Sequence, residues 1–188
     1  MKTLLDIIHE KNLNNVTHPE FGTDKEYDHM YCTGFYDKEF LKYKDKKIVI
    51  TEIGIAKGGS IVLWDEYFDD AQIIGIDNRE QGAKDKTKHL TNVEIIYAHA
   101  YSEDFVNTLP MSDIIIEDGS HFFEDQVKSI QIYLKKLKPG GVFIIEDVAR
   151  IEYCDEFKKY VPESMTYEIV DVRDISPEPD SILFVVRN

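Results

Sequence analysis

Apolar runs too short to be buried helices, each closed by carboxylates, constrain this chain more than any other feature. Ile114-Ile115-Ile116 leads into Glu117-Asp118, and Val142-Phe143-Ile144-Ile145 leads into Glu146-Asp147. Continuous apolar runs of this length read as strands buried on both faces, the mark of a parallel sheet. From Lys47 onward such runs alternate with helical stretches. Strands are expected over 48–53, 72–76, 93–97, 113–116 and 142–145, with helices over 60–68, 85–90, 102–109 and 124–137 between them. Val127, Ile130, Leu134 and Leu137 recur at near-helical spacing, and Pro139-Gly140-Gly141 is expected to stop that helix. After a helix near 152–160, strands over 166–172 and 181–186 are separated only by a turn-rich stretch, which predicts an antiparallel hairpin. The expected class is α/β: three layers, with a mostly parallel seven-stranded sheet closed by a C-terminal hairpin and helices on both faces.

The 188 residues are expected to form one domain. Residues 47–188 make its core, and residues 1–46 supply an N-terminal helix and a lid or substrate segment. Leu4, Leu5, Ile7 and Ile8 give residues 3–13 a helical stripe. The polar segment 14–36 has no strong period and reads as a long ordered loop, with Tyr27, Tyr31, Phe35 and Tyr36 favouring order.

A formal net charge of −14 argues against a nucleic-acid partner, whose phosphates require a basic footprint. No stretch approaches the ~20 apolar residues of a membrane span. Asp6 interrupts the first apolar run, so it does not read as a signal peptide. Cys32 and Cys154 are too few for a disulfide framework. The cytoplasm is the expected location.

The first strand opens into Thr51-Glu52-Ile53-Gly54-Ile55-Ala56-Lys57-Gly58-Gly59-Ser60. Glycines here let the backbone approach a ligand closely. Asp77 follows at the tip of the next strand, where a carboxylate can accept both hydroxyls of a ribose. The dinucleotide fingerprint wants a second glycine where Ala56 stands, which weakens a nicotinamide reading. With Glu52 opening the loop, a cationic ligand suits the turn better than a diphosphate.

On these residues the chain resembles the class I S-adenosylmethionine-dependent methyltransferases. The carriers of the resemblance are the Glu-x-Gly-x-x-x-Gly-Gly loop, Asp77 and the closing hairpin, over roughly residues 48–188. The resemblance implies a Rossmann-like methyltransferase fold, with Glu52, Gly54, Gly58, Gly59 and Ser60 around the methionine portion and Asp77 on the ribose. A narrower resemblance lies in Glu117-Asp118-Gly119-Ser120-His121, Ile145-Glu146-Asp147 and the early Gly22-Thr23-Asp24-Lys25 followed by His29 and Tyr31. These are similar to the metal-dependent sugar O-methyltransferases that act on macrolide and rhamnosyl groups. By that resemblance Asp118, Glu146 and Asp147 hold Mg²⁺, Asp118 also borders the cofactor, and His121 is the general base.

The chemistry of the residues agrees. Carboxylates converging from two strand ends cannot all stay ionised without a compensating positive charge, and hard oxygen ligands favour Mg²⁺. A metal-bound diol is oriented and acidified, and histidine is suited to take its proton near neutral pH. Acids after strands also cap helices, the ordinary alternative for Asp118 and Asp147. The family often carries Gly-Asp-Gln-Ser-Asp after the third strand; here Ala98-His99-Ala100-Tyr101-Ser102 stands instead, which puts Tyr101 forward as the adenine neighbour.

Three readings stay open. One is a Mg²⁺-dependent O-methyltransferase acting on a hydroxyl of a sugar or glycosylated small molecule, assembled as a homo-oligomer. The second is a catechol-type O-methyltransferase, and the third a non-catalytic module of the same fold that holds a nucleoside.

Overall fold

A computed structural model describes residues 2–14 and 21–188, so residues 15–20 of the expected lid lie outside the described residues. Seven strands form one sheet: β1 (Lys47–Ile53), β2 (Asp70–Asp77), β3 (Val93–Tyr97), β4 (Ser112–Glu117), β5 (Leu137–Ile145), β6 (Thr166–Asp171) and β7 (Ile182–Arg187). Their order is β3-β2-β1-β4-β5-β7-β6. The first five are parallel to one another, and β7 runs antiparallel to both β5 and β6. This is the expected α/β sheet with its closing hairpin.

Alternation along the strands divides the core in two. Ile114, Ile116, Val142 and Ile144 pack on one face, under α1 (Leu4–Lys11), α2 (Asp37–Phe40), α3 (Gly59–Tyr67) and α4 (Ala83–Thr87). Ile115, Phe143, Ile145 and Phe184 pack on the other, under α5 (Glu103–Thr108), α6 (Phe123–Tyr133) and α7 (Cys154–Phe157). Each central strand is therefore apolar at consecutive positions because both of its faces are covered.

Two expectations are corrected. The helix expected over 124–137 ends at Tyr133 with one 3₁₀ turn, and β5 already begins at Leu137. Leu137 pairs with Ser112, and the register then shifts before Ile114 meets Val142. Gly140 absorbs that irregularity at φ +78°, so Pro139-Gly140-Gly141 lies inside the strand as a bulge and does not separate two elements.

The end of the segment expected as loop is helical: Cys32–Tyr36 forms a π-turn that runs directly into α2. Aromatic packing supplies what periodicity did not. The Tyr36 and Phe40 rings stack at 4.6 Å, and both meet the Trp64 ring edge-on.

The sheet order reverses direction between β1 and β4, which lie side by side but lead to opposite sides of the sheet. Ligands in open α/β sheets bind in the crevice beyond the strand ends at such a switch.

Candidate active site

Beyond β1, the chain turns sharply at Gly54 (φ +82°), Ala56 (φ +42°) and Gly58 (φ +88°), then enters α3. Asp77, at the end of β2, shapes this turn. Its Oδ2 accepts the N–H groups of Ile55 (3.2 Å) and Ala56 (3.0 Å), and its Oδ1 accepts that of Arg79 (2.9 Å). Carboxylate oxygens have lone pairs to spare for further donors. The turn floors a cleft of about 1050 Å³ that includes Gly54, Gly59, Ser60, Asp77, Tyr101, Asp118 and His121 in its lining.

Segment 21–25 roofs the turn. A Cβ at Gly59 would stand 2.3 Å from the Gly22 carbonyl oxygen and 2.5 Å from that of Phe21. Only glycine lets the two backbones approach so closely.

Glu52 does not line the cleft. Its carboxylate is buried, with Oε2 accepting the Ser60 hydroxyl and the Trp64 indole N–H, each at 2.9 Å. It fastens α3 to β1, while Gly58 starts that helix in a left-handed conformation beside Thr87. Tyr101 lines the cleft, but its hydroxyl points beneath the 118–120 turn. It donates to Glu117 Oε1 (2.7 Å) and accepts the Ser120 N–H (3.0 Å).

At the mouth of the cleft, Asp118, His121 and Asp147 come together, each offering a ligand atom within 4.8 Å of the others. His121 Nε2 is 3.9 Å from Asp118 Oδ1, and His121 Nδ1 is 3.7 Å from Asp147 Oδ2. These separations exceed hydrogen-bonding range. Both His121 (φ +57°) and Asp147 (φ +53°) take the left-handed backbone region that non-glycine residues rarely adopt. Such local strain gathers at functional sites.

Glu146 stands apart from this group, against the expectation that it faces the metal with its neighbours. It is 1% exposed and lies behind Asp118, where both its oxygens accept the Lys25 ammonium (2.8 and 2.9 Å) and one also accepts the Tyr36 hydroxyl. β5 ends at Ile145, and past it Glu146 meets Lys25 while Asp147, at φ +53°, meets Tyr31.

The electrostatics follow burial. Desolvation raises the carboxyls of Asp118 and Asp147 above the ordinary range, with the Lys25 ammonium opposing the rise at Asp118 and His29 and His121 opposing it at Asp147. It pushes Glu146 up to about 8 and Glu117 up to about 7. Asp147 is further held by Tyr31, whose hydroxyl donates to Oδ1 at 2.8 Å. Tyr36, which with Tyr27 and Tyr31 could have covered the cofactor or a sugar ring, is instead buried against Glu146, and Lys25 and Glu117 shape the site without having been given a role there. Only the Gly-Thr-Asp-Lys string marked Lys25, and no spacing shows where its ammonium ends.

A family model described as "Methyltransferase domain" matches residues 51–148. The 8-demethyl-8-alpha-L-rhamnosyl tetracenomycin-C 2'-O-methyltransferase of Streptomyces olivaceus is 29% identical, over 68% of this chain and 35% of its own length. Mycinamicin VI 2''-O-methyltransferase of Micromonospora griseorubida is 27% identical, over 69% of this chain and 33% of its own. The chain thus spans about a third of the length of these curated relatives. Among solved structures, a MycE methyltransferase from the mycinamycin biosynthetic pathway, in complex with Mg and SAH, superposes with a TM-score of 0.66. That likeness, at 19% identity, covers 94% of this chain and 54% of MycE, and it is one of fold. The family match runs from β1 to just past β5, the stretch carrying the glycine turn, Asp77, Asp118 and Asp147, and so the chain belongs to the methyltransferase domain family.

Proposed function

We propose that this chain carries out S-adenosylmethionine-dependent, Mg²⁺-assisted O-methylation of a sugar hydroxyl on a glycosylated small molecule. The carrying observation is the meeting of Asp118, His121 and Asp147 at the mouth of the glycine-turn cleft. Relatives named for methylation of sugar hydroxyls support the same reading.

The residues fit both groups. A cleft of about 1050 Å³ accommodates a nucleoside with an amino-acid tail. In this reading Asp77 takes the ribose, Gly54, Gly59 and Ser60 the methionine portion, and Tyr101 the base, all of them residues that line the cleft. Asp118 and Asp147 are crowded carboxylates whose raised protonation a divalent cation relieves. Two carboxylates, with water and substrate hydroxyls, make a usual Mg²⁺ set. Asp118 and Asp147 would hold the ion, which would supply Lewis-acid activation and orientation of a sugar diol.

The chain's own groups do the rest. His121, with a side chain 41% exposed, has ring nitrogens outside hydrogen-bonding range of both carboxylates. It accepts the proton of the acceptor hydroxyl. Phe122 beside it is 71% exposed and lines the cleft, a flat apolar face for a sugar ring. The cleft walls align oxygen, methyl carbon and sulfur in line, where most of the rate gain of such a displacement arises.

The test is a panel of rhamnosyl and catechol acceptors incubated with S-adenosylmethionine and Mg²⁺, read by mass spectrometry. A gain of one methyl on a sugar acceptor, abolished by EDTA, is the expected result. Methylation of the catechol alone would replace the sugar reading, and turnover indifferent to EDTA would remove the metal from it.

A further inference from the structure

The arc that leads from β4 into α6 supplies a base, an aromatic plate and a carboxylate to one side of the cleft, since His121, Phe122 and Asp125 all line it. Its backbone is pinned throughout. The Tyr101 hydroxyl accepts the Ser120 N–H at 3.0 Å, and Ser120 Oγ accepts the Phe122 N–H at 3.3 Å. The Phe122 carbonyl in turn accepts the N–H groups of Asp125 (3.1 Å) and Gln126 (3.0 Å). Asp125 is held by one oxygen, its Oδ2 accepting the Ser120 hydroxyl at 2.6 Å. Its Oδ1 meets no protein donor among the described residues, and a carboxylate oxygen has lone pairs for one. We infer that Asp125 Oδ1 accepts a hydroxyl of the acceptor sugar other than the one methylated, with the sugar ring laid on Phe122. The inference rests on the sugar-methylating reading above and narrows its substrate to a sugar on which that further hydroxyl is still free.

An acid in the first turn of a helix ordinarily answers the helix dipole. Glu124, exposed in the same turn, already does so, whereas Asp125 is half-buried and borders the cleft. A sugar hydroxyl donates, an ionised carboxylate only accepts, and the pair makes a charge-assisted hydrogen bond. The exposed Phe122 ring beside it offers an apolar face to the C–H side of a pyranose. A catechol would use the plate but has no third hydroxyl for Asp125, because both of its oxygens belong at the reaction centre. The same contact orders events. Any reaction that caps this hydroxyl with an acyl, glycosyl or methyl group must follow the step performed here, since a capped oxygen has no proton to donate. Asp125 is thus a binding residue that reads the acceptor away from the reacting oxygen.

The experiment measures kcat/KM of the full chain, with S-adenosylmethionine and Mg²⁺, on a rhamnoside and its mono-deoxy analogues. One analogue, altered at a position other than the methylated one, is expected to lose at least about tenfold, because it leaves Asp125 without its donor. Asp125→Ala is expected to erase that discrimination, losing about tenfold on the parent sugar through KM and little on that analogue. Ser120→Ala keeps the carboxylate and should keep the discrimination. Should Asp125→Ala not fold, Asp125→Leu, nearer in volume, carries the same comparison. If Asp125 only braces the turn through Ser120, its variants and Ser120→Ala would slow every acceptor by one factor, and that result would overturn the inference. A wild type indifferent to every deoxy analogue would overturn it too, while leaving sugar methylation intact. A chain that methylates no sugar at all would overturn both.

Discussion

At Gly54 the backbone takes φ +82°, and a Cβ there would stand 1.7 Å from the carbonyl oxygen of Asp118. The glycine turn after β1 and the acidic turn after β4 are thus in direct backbone contact. Gly54→Ala combines left-handed strain with an overlap neither backbone can yield to, and a loss of at least ~4 kcal/mol in unfolding free energy is expected. Urea denaturation checks it; a cost below 1 kcal/mol would mean that the two turns can separate. His121 also sits in the left-handed region, so the substitution that isolates its chemistry is His121→Asn, because asparagine tolerates that backbone. Turnover should fall by about a hundredfold with the affinity for S-adenosylhomocysteine unchanged. Calorimetry and steady-state kinetics together separate this from a binding defect.

Segment 21–31 acts at the scale of an element. It lays the Phe21 and Gly22 carbonyls on Gly59, sends Lys25 beneath the acids, and ends at Tyr31 on Asp147. His29, stacked on Tyr31, reaches the Ser181 hydroxyl at 3.1 Å and so ties this segment to the hairpin loop. Gly59→Ala would push the segment off the first turn of α3 without disturbing the sheet. The expected outcome is an unchanged far-UV circular dichroism spectrum with S-adenosylhomocysteine binding weakened by ~1.4 kcal/mol, about tenfold. Unaltered affinity would separate this segment from the cofactor site. The nearby π-turn at Cys32–Tyr36 belongs to the same device, since it delivers Tyr36 to Glu146, and π-turns are frequent where function demands an irregular helix.

Over the whole molecule, buried carboxyls set the response to pH. Glu117 and Glu146 have folded-state values of about 7 and about 8, above the 4.5 of an ordinary glutamate. Between those limits the folded state binds more protons than the unfolded chain, so stability is greatest below about 4.5 for these groups and declines as pH rises through 7 and 8. The urea midpoint is therefore expected to fall between about pH 5 and about pH 8, and Glu117→Gln should flatten the lower part of that decline. A midpoint that rises over this interval would contradict the burial of these acids. Mg²⁺ at a hundredfold over its dissociation constant should restore ~2.7 kcal/mol at the upper pH, and EDTA should remove it.

The sequence by itself determined the strand positions, the sheet class, the glycine turn with Asp77, and the neighbourhood of Asp118, His121 and Asp147. Those features are written in local pattern: apolar runs fix buried strands, and a residue at a strand end is carried to the sheet edge whatever surrounds it. It did not determine where β5 starts, because Pro139-Gly140-Gly141 has the composition of a turn and becomes a bulge only through pairing with β4. Nor did it show that Cys32–Tyr36 is helical, since its stability comes from Trp64 on α3. The division of labour among the acids was decided by tertiary structure alone. Lys25 lies 93 positions from Asp118 and 121 from Glu146 along the chain. No local pattern encodes which carboxylates an ammonium from so far away will neutralise, and only the packed chain brings it there.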